Sequence, residues 1–400
     1  MTMVVRLGAV GAVKLVFWDT MIVEYTADTP WQRPLGGSQS AICYLAIALT
    51  QQGHEVAVIN NTSTPGRYRG IYFPESSIGR DATFLRQQDA IVATGLIGSP
   101  LRRAFPRRPG SPLLICWLQH AADQPAVESL CIRDECEAWD GFAFVSRWQA
   151  QSYQSKFPVD PRRIRIMRNA IAPFFAEQPW EWRPVPQDNP TLVYTSTPFR
   201  GLDLLLNAFP LVRREIPGLR LRLFSSMKGY GLSDERYMPL FERARSIPGV
   251  ECLGSVDQPR LAREMAGADM LAYPSTFAET ACIAVMEAMA SGCLVATTDL
   301  GALPETLGGF GGMMPSVNDQ NRAGAAEAFA ELALGMLRQA IADPTGHAAR
   351  TSQQVRFART AYSWPRIAKQ WADWISTARA RAGSAASGRR PAKPPPIGRR

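Results

Sequence analysis

Residues 273–305 read YPSTFAETACIAVMEAMASGCLVATTDLGALPE. The segment closes an apolar run over 269–273, passes through a short polar loop, continues as a helix, stops at Gly292 and resumes as a second apolar run over 293–297. Two short apolar runs joined by a helical crossover form a βαβ unit, which places both strands in one parallel sheet. Upstream the same alternation predicts strands over 191–195, 220–224 and 250–253, separated by helical stretches. Together these predict a doubly wound parallel sheet for the second half of the chain.

The first half follows the same pattern. Strands are expected over 13–18, 55–59, 90–93, 113–118, 141–145 and 164–167, with a helix over 38–52 that carries Ile42, Leu45 and Leu49 at helical spacing and ends at Gly53. Between the first strand and this helix lies a long connection, 19–35, closed by Gly36 and Gly37. Long loops at the carboxyl ends of parallel strands line ligand sites. From 169 to 190 the periodicity breaks into a proline-rich stretch, the expected linker. The segment WPRIAKQWADWI, 364–375, carries three tryptophans on an amphipathic helix that has to dock on another element. Four hundred residues exceed what one core usually organises. The expected division is therefore a first α/β domain over 1–170, a linker over 171–190, a second α/β domain over 191–361, a terminal helix over 362–381 docked on the first domain, and a disordered basic tail over 382–400.

The net charge of +9 invites a nucleic-acid reading, yet seven basic residues and no acidic one fall between Thr377 and Arg400. Removing them leaves a body of about +2. The tail lacks interleaved aromatics, which argues against a nucleic-acid partner; it serves either as a solubilising segment or as a peripheral contact to an anionic membrane surface. The run Arg102, Arg103, Arg107 and Arg108 has the same two readings, a solvated loop or the border of an anionic acceptor or membrane. The seven cysteines show no metal-ligand spacing and fit buried thiols of a reducing cytosol. No apolar run approaches the ~20 residues of a membrane span. The expected location is cytoplasmic, with or without peripheral contact at the inner membrane face.

The chemistry concentrates where the quoted segment turns from loop to helix. Glu279 stands at that junction and Glu287 eight positions on. Were the intervening residues wholly helical, the axial rise would part the carboxylates by about 12 Å, room for a sugar and a ribose with a diphosphate between. The free amides of Thr280, Ala281, Cys282 and Ile283 would then face the diphosphate, because a helix start offers unpaired donors and a favourable dipole.

The spacing Glu-seven residues-Glu, followed by Ala-Met-Ala-Ser-Gly and preceded by Tyr-Pro-Ser, closely resembles the retaining glycosyltransferases of the GT-B fold, in particular family 4, the group 1 type. The resemblance runs from about residue 14 to 375. It implies two Rossmann-like domains facing a central cleft, a nucleotide-diphosphate sugar as donor and co-substrate, and no metal or other cofactor. By that resemblance Glu287 holds the ribose hydroxyls and Glu279 contacts the donor sugar. Arg200, in STPFRGLD, matches the basic residue before glycine that grips the donor phosphates, a task suited to a fixed, forked charge. Thr195 stands where many relatives carry a second basic residue, leaving the phosphate site one charge short unless Lys228 reaches it. Gly36, Gly37 and Ser38 match a glycine-rich turn that lets backbone approach donor phosphate or acceptor. His120, after a buried strand, matches a histidine near the reacting sugar; Asp123 and Gln124 share its loop, either as acceptor contacts or as turn formers. Ser146, Arg147 and Trp148 match an interlobe contact, Asn169 the asparagine that opens a hinge, and Gly301 and Glu305 a glycine-rich turn and glutamate behind the nucleotide site, all as structural supports.

Other signals are set aside. Gly8 and Gly11 precede the first strand, so LGAVGAV is not a dinucleotide fingerprint. No Asp-x-Asp occurs, which argues against a metal-bridged transferase. The expected function is retaining, metal-independent sugar transfer from a nucleotide-diphosphate donor to a glycan, lipid-linked or other hydroxyl acceptor in cell-surface polysaccharide or glycoconjugate synthesis. Two alternatives stay open: a catalytically weak glycan- or nucleotide-sugar-binding scaffold, and a sugar-nucleotide epimerase.

Overall fold

The computed structural model describes residues 11–386; the basic tail beyond, and the first ten residues, lie outside the described part. Two separate sheets organise the chain. The first contains β1 (Lys14–Trp18), β2 (Glu55–Ile59), β3 (Gly66–Tyr68), β4 (Ile71–Phe73), β5 (Ala90–Ala93), β6 (Leu113–Leu118), β7 (Gly141–Phe144) and β8 (Ile164–Ile166), in the order β3-β4-β2-β1-β5-β6-β7-β8. The second contains β9 (Thr191–Tyr194), β10 (Arg220–Leu223), β11 (Val250–Cys252), β12 (Met270–Tyr273), β13 (Leu294–Thr298) and β14 (Gly312–Met314), in the order β11-β10-β9-β12-β13-β14. All pairings are parallel except β3 with β4. In each sheet the order reverses beside a central strand, β1 in the first and β9 in the second, and at such switch points the strand ends open a crevice.

The apolar runs of the sequence become the buried strands. Leu15, Val16 and Phe17 in β1 and Leu271, Ala272 and Tyr273 in β12 are fully buried, because helices cover both faces of a parallel sheet. Three short strands have no counterpart in the sequence reading: the β3–β4 hairpin and β14, each strand three residues long. The hairpin turns through Arg69 and Gly70, both at positive φ (51° and 83°), as a two-residue connection with the twist of its strands requires.

The terminal helix extends over Trp364–Ala386, five residues beyond the expected 381, so the first five residues of the expected disordered tail continue the helix. Arg379, near its C-terminal end, pairs with Asp89 at 3.0 Å and so ties the helix to the first sheet. Ile367, Ala368, Trp371, Ala372 and Ile375 are buried at helical spacing. The helix lies along helix Gly37–Gln51 of the first lobe. Trp371 inserts between Trp117 of β6 and Phe17 of β1, at ring distances of 5.4 and 6.4 Å. Truncating so large a buried ring leaves a cavity the sheet cannot close. Trp371→Ala is expected to lower the unfolding free energy by about 3–5 kcal/mol, measured by urea denaturation followed by circular dichroism.

Candidate functional site

Two close backbone approaches build the second-lobe half of the cleft. Gly201 follows Arg200 at φ 106°, and a Cβ there would lie 2.0 Å from the carbonyl oxygen of Pro274. Gly301, at φ 67°, would place a Cβ 2.6 Å from the carbonyl oxygen of Glu279. Only glycine combines these dihedrals with this proximity. As a result the loops after β9, β12 and β13 touch one another, and the Ala302 amide donates to the Glu279 carbonyl at 2.7 Å.

That bond explains a difference from the sequence reading. The helix starts at Ile283, with Cys282 as its N-cap, rather than at Glu279. The Glu279 carbonyl is committed to Ala302, and the Thr280 hydroxyl reaches across the cleft to the Gln119 carbonyl at 2.9 Å. Residues 280–282 therefore stay outside the helix, bending at Thr280 and Ala281, and the axial-rise estimate of the Glu279–Glu287 separation does not apply.

Glu279 is 4% exposed. Its Oε1 accepts from Arg200 Nη1 at 2.9 Å and from the Tyr273 hydroxyl. Burial works against the Arg200 charge, but Glu279 and the hydroxyls of Tyr230 and Tyr273 outweigh it and hold the guanidinium firmly protonated. Glu287, 3% exposed and without a cationic partner, is pushed up to about 8 by burial, against a smaller opposite effect of the Ala172 amide. The thiol of Cys282 is raised by burial first and by Glu279 second, so it stays protonated and unreactive.

The first lobe supplies the opposite wall. Helix Gly37–Gln51 begins at Gly36 with no side-chain cap, leaving first-turn amides unpaired within the helix. A Cβ at Gly36 would meet the Tyr230 ring at 3.3 Å, and one at Gly37 would meet Ile283 at 3.4 Å, so the turn abuts the second lobe. His120 follows β6; its carbonyl accepts from Gln149 Nε2 at 2.8 Å and the Tyr153 hydroxyl at 3.0 Å, which fixes the backbone that carries the ring. Burial lowers the imidazole below its ordinary value, opposed by Asp19, so the ring is neutral at physiological pH.

These elements enclose a cavity of about 290 Å³ between the lobes. Gly36, Gly37, Ser38, His120, Gln124, Arg200, Glu279, Thr280, Ala281, Cys282, Ile283 and Glu287 all line it. Lys228 and Asp123 do not: both are exposed, and Lys228 precedes the lining residues Gly229 and Tyr230 without entering. Among the described residues, six lining side chains carry a buried polar atom with no hydrogen-bond partner: Tyr44, Thr195, Thr197, Arg200 (Nε), Gln258 and Trp364. Buried polar groups are normally satisfied, so such a concentration marks a wall completed by something else.

Among the residues the sequence reading passed over, Asp19 stands out. Its buried carboxylate closes β1 and accepts from the Met21 amide, Thr94, Tyr25 and Gln39 at 2.9–3.2 Å. An acid directly after an apolar strand was the available signal. The supports expected from sequence meet across the lobes: Glu305 accepts from the amides of Arg147 and Trp148, pairs with Arg168 at 2.7 Å, and so caps helix Arg147–Lys156 from the other lobe. Asn169 exchanges side-chain hydrogen bonds with Gln119.

Comparison with known proteins agrees with this geometry. Residues 189–335 match the family model described as glycosyl transferases group 1. The phosphatidyl-myo-inositol mannosyltransferase of Mycolicibacterium smegmatis is 26% identical over 384 residues, covering 88% of this chain and 91% of that protein. The D-inositol 3-phosphate glycosyltransferase of Segniliparus rotundus is 35% identical over 107 residues, 27% of this chain and 24% of that one. Among solved structures, a glycosyltransferase from Rickettsia africae superposes with a TM-score of 0.66 at 13% identity, covering 92% of this chain and 98% of that one. Anabaena HepE in complex with UDP-glucose superposes at 0.65 with 15% identity, covering 91% and 100%. With its two parallel sheets the chain has the GT-B fold of these glycosyltransferase structures, and its second lobe matches the model of the group 1 glycosyl transferases.

Proposed function

We propose that this glycosyltransferase uses a nucleoside-diphosphate sugar, retains the anomeric configuration, and needs no metal ion. The observation that carries the reading is the meeting of Arg200, Glu279, Glu287 and the start of helix Ile283–Ala290 on one cavity between the lobes. The donor lies mostly on the second lobe, which supplies Arg200, Glu279, Glu287 and the helix start to the cavity; HepE, a structure of similar fold, binds UDP-glucose. Its diphosphate sits against Arg200 and the amides of the helix start, its ribose hydroxyls on Glu287, and its sugar beside Glu279 and His120. The acceptor enters along Gly36, Ser38 and Gln124. The names of the mannosyltransferase relatives make mannose the first sugar to test, and an inositol-bearing or glycan hydroxyl the first acceptor.

In the reaction the bond between the anomeric carbon and the diphosphate oxygen breaks while the acceptor oxygen bonds to that carbon on the same face. The acceptor proton passes to the departing phosphate. Arg200 and the amides stabilise the negative charge gathered on the leaving group, the role a divalent cation takes elsewhere. His120 and Glu279 hold the sugar and form no covalent bond to it. Closure of the lobes keeps water from competing. No helix among the described residues is long and apolar enough to cross a membrane; a peripheral membrane contact through the basic tail concerns residues outside the described part.

Arg200→Ala is expected to lower turnover by about two to three orders of magnitude. The measurement is transfer from radiolabelled GDP-mannose and UDP-glucose to an acceptor panel. Anomeric coupling in the NMR spectrum of the product is expected to show retention, and wild-type activity to persist in excess chelator. An inverted product, or transfer restored only by a divalent cation, would overturn the reading.

A ribose-holding Glu287 also sets a pH dependence. Its folded value of about 8 lies above the ordinary 4.5, so between those limits the folded protein binds a proton that the unfolded chain has released. The associated stability is fully present below pH 4.5 and is lost as pH rises towards 8. Glu287→Gln removes the effect. The melting temperature of the wild type is expected to fall relative to that of the variant across this window, and parallel profiles would show that the carboxyl ionises normally.

A further inference from the structure

Among the described residues that line the cavity, Arg200 is the one with a fixed positive charge, and Glu279 already occupies its Nη1. A diphosphate with two or more negative charges therefore has a single, shared guanidinium to meet it. What else holds that guanidinium is aromatic. Its central carbon lies 4.4 Å from the ring centroid of Phe277 and 5.4 Å from that of Phe199. The two rings pack edge to face, with centroids 5.7 Å apart and planes at 77°. Both distances fall within the range in which a ring face attracts a cation.

Phe277 is itself held rigidly. The Ser275 hydroxyl, on a fully buried residue, accepts from the Phe277 amide and donates to the Phe277 carbonyl, at 3.3 and 2.9 Å. Thr298, at the end of β13, donates to the Ser275 carbonyl at 2.8 Å. The ring is thus carried on a loop tied to two strand ends, while Phe199 is 41% exposed and adjoins Arg200 in the chain.

We infer that Phe277 is a positioning residue that forms, with Phe199 touching it, a one-sided aromatic bracket against which the Arg200 guanidinium rests, fixing its orientation between Glu279 and the donor diphosphate and stripping water from that side. The inference rests on the donor reading above. A cation stacked on rings gives up part of its hydration before the ligand arrives, so its remaining donors meet phosphate at a smaller desolvation cost. A positioned, partly desolvated guanidinium can do in this cavity what would otherwise ask for a second charge.

The test uses the full chain and two independent readouts. Selective nitrogen-15 labelling of arginine gives the Arg200 Nε–H resonance, assigned by its absence in Arg200→Lys. In the wild type it is expected to carry a ring-current shift, and in Phe277→Leu to move towards the position of a free arginine; an unmoved resonance would overturn the bracket. Calorimetric titration with UDP, GDP and inorganic pyrophosphate gives the second readout. Phe277→Leu is expected to weaken the tightest of the three by about tenfold. In the Arg200→Lys background the same substitution is expected to add no further loss, because lysine has no plane for the ring to fix; equal losses in both backgrounds would show an effect that does not pass through Arg200 and would overturn the inference. A shifted resonance in a wild type that binds none of the three ligands would leave the bracket standing and sink the donor reading, together with the bracket's proposed service to a diphosphate.

Discussion

The approach of three loops at the carboxyl end of the second sheet depends on two glycines with no room for a side chain. Gly201 lies on the Pro274 carbonyl and Gly301 on the backbone of Glu279. Because those contacts are backbone against backbone, they do not relax by a change of rotamer, and any added Cβ would have to move a strand end. Through them Arg200 from one loop and Glu279 from the next arrive at 2.9 Å, with both groups largely out of solvent. A buried ion pair is costly to form from two hydrated ions, and its value here is placement: each partner determines where the other can be. The helix start, the Phe277 ring and the cavity wall all take their positions from this junction.

Across the cleft the lobes meet through polar and apolar contacts. Thr280 reaches the Gln119 carbonyl, Glu305 caps helix Arg147–Lys156, and the glycine turn at Gly36 and Gly37 lies against Tyr230 and Ile283. The terminal helix supplies a further apolar contact, returning to the first lobe and burying Trp371 among the rings of Phe17 and Trp117. One lobe is thereby bound to the other by a covalently continuous, strongly packed element, while the facing walls of the cavity are joined by hydrogen bonds that a ligand can exchange.

Much of this was legible in the sequence because parallel strands buried on both faces leave continuous apolar runs. Each long run became a strand, within a residue at either end in the case of β1, β12 and β13. The β3–β4 hairpin and β14 were not legible: three residues are too few for a periodic signal, and β14 is the glycine-rich Gly312–Met314. The last turn of the terminal helix was read as tail because residues 382–386 lack apolar spacing. Asp19 was missed for a related reason. A lone acid after a strand looks like the start of a loop until the fold brings Tyr25, Gln39 and Thr94 around it.

The site divides along the same line. Residue types and their spacing along the chain determined that Glu279, Glu287, Arg200 and His120 would stand at strand ends and a helix start, since those positions follow from local alternation and from glycine and proline punctuation. Only the tertiary structure decided that Glu279 binds Arg200, that residues 280–282 remain outside the helix, that Lys228 stays outside the cavity, and that Phe277 faces a guanidinium. Those outcomes depend on contacts between segments some eighty residues or more apart in most cases, and on which backbone groups are already engaged when the segments meet. The periodicity of a segment reports its own burial and carries no information about such partners.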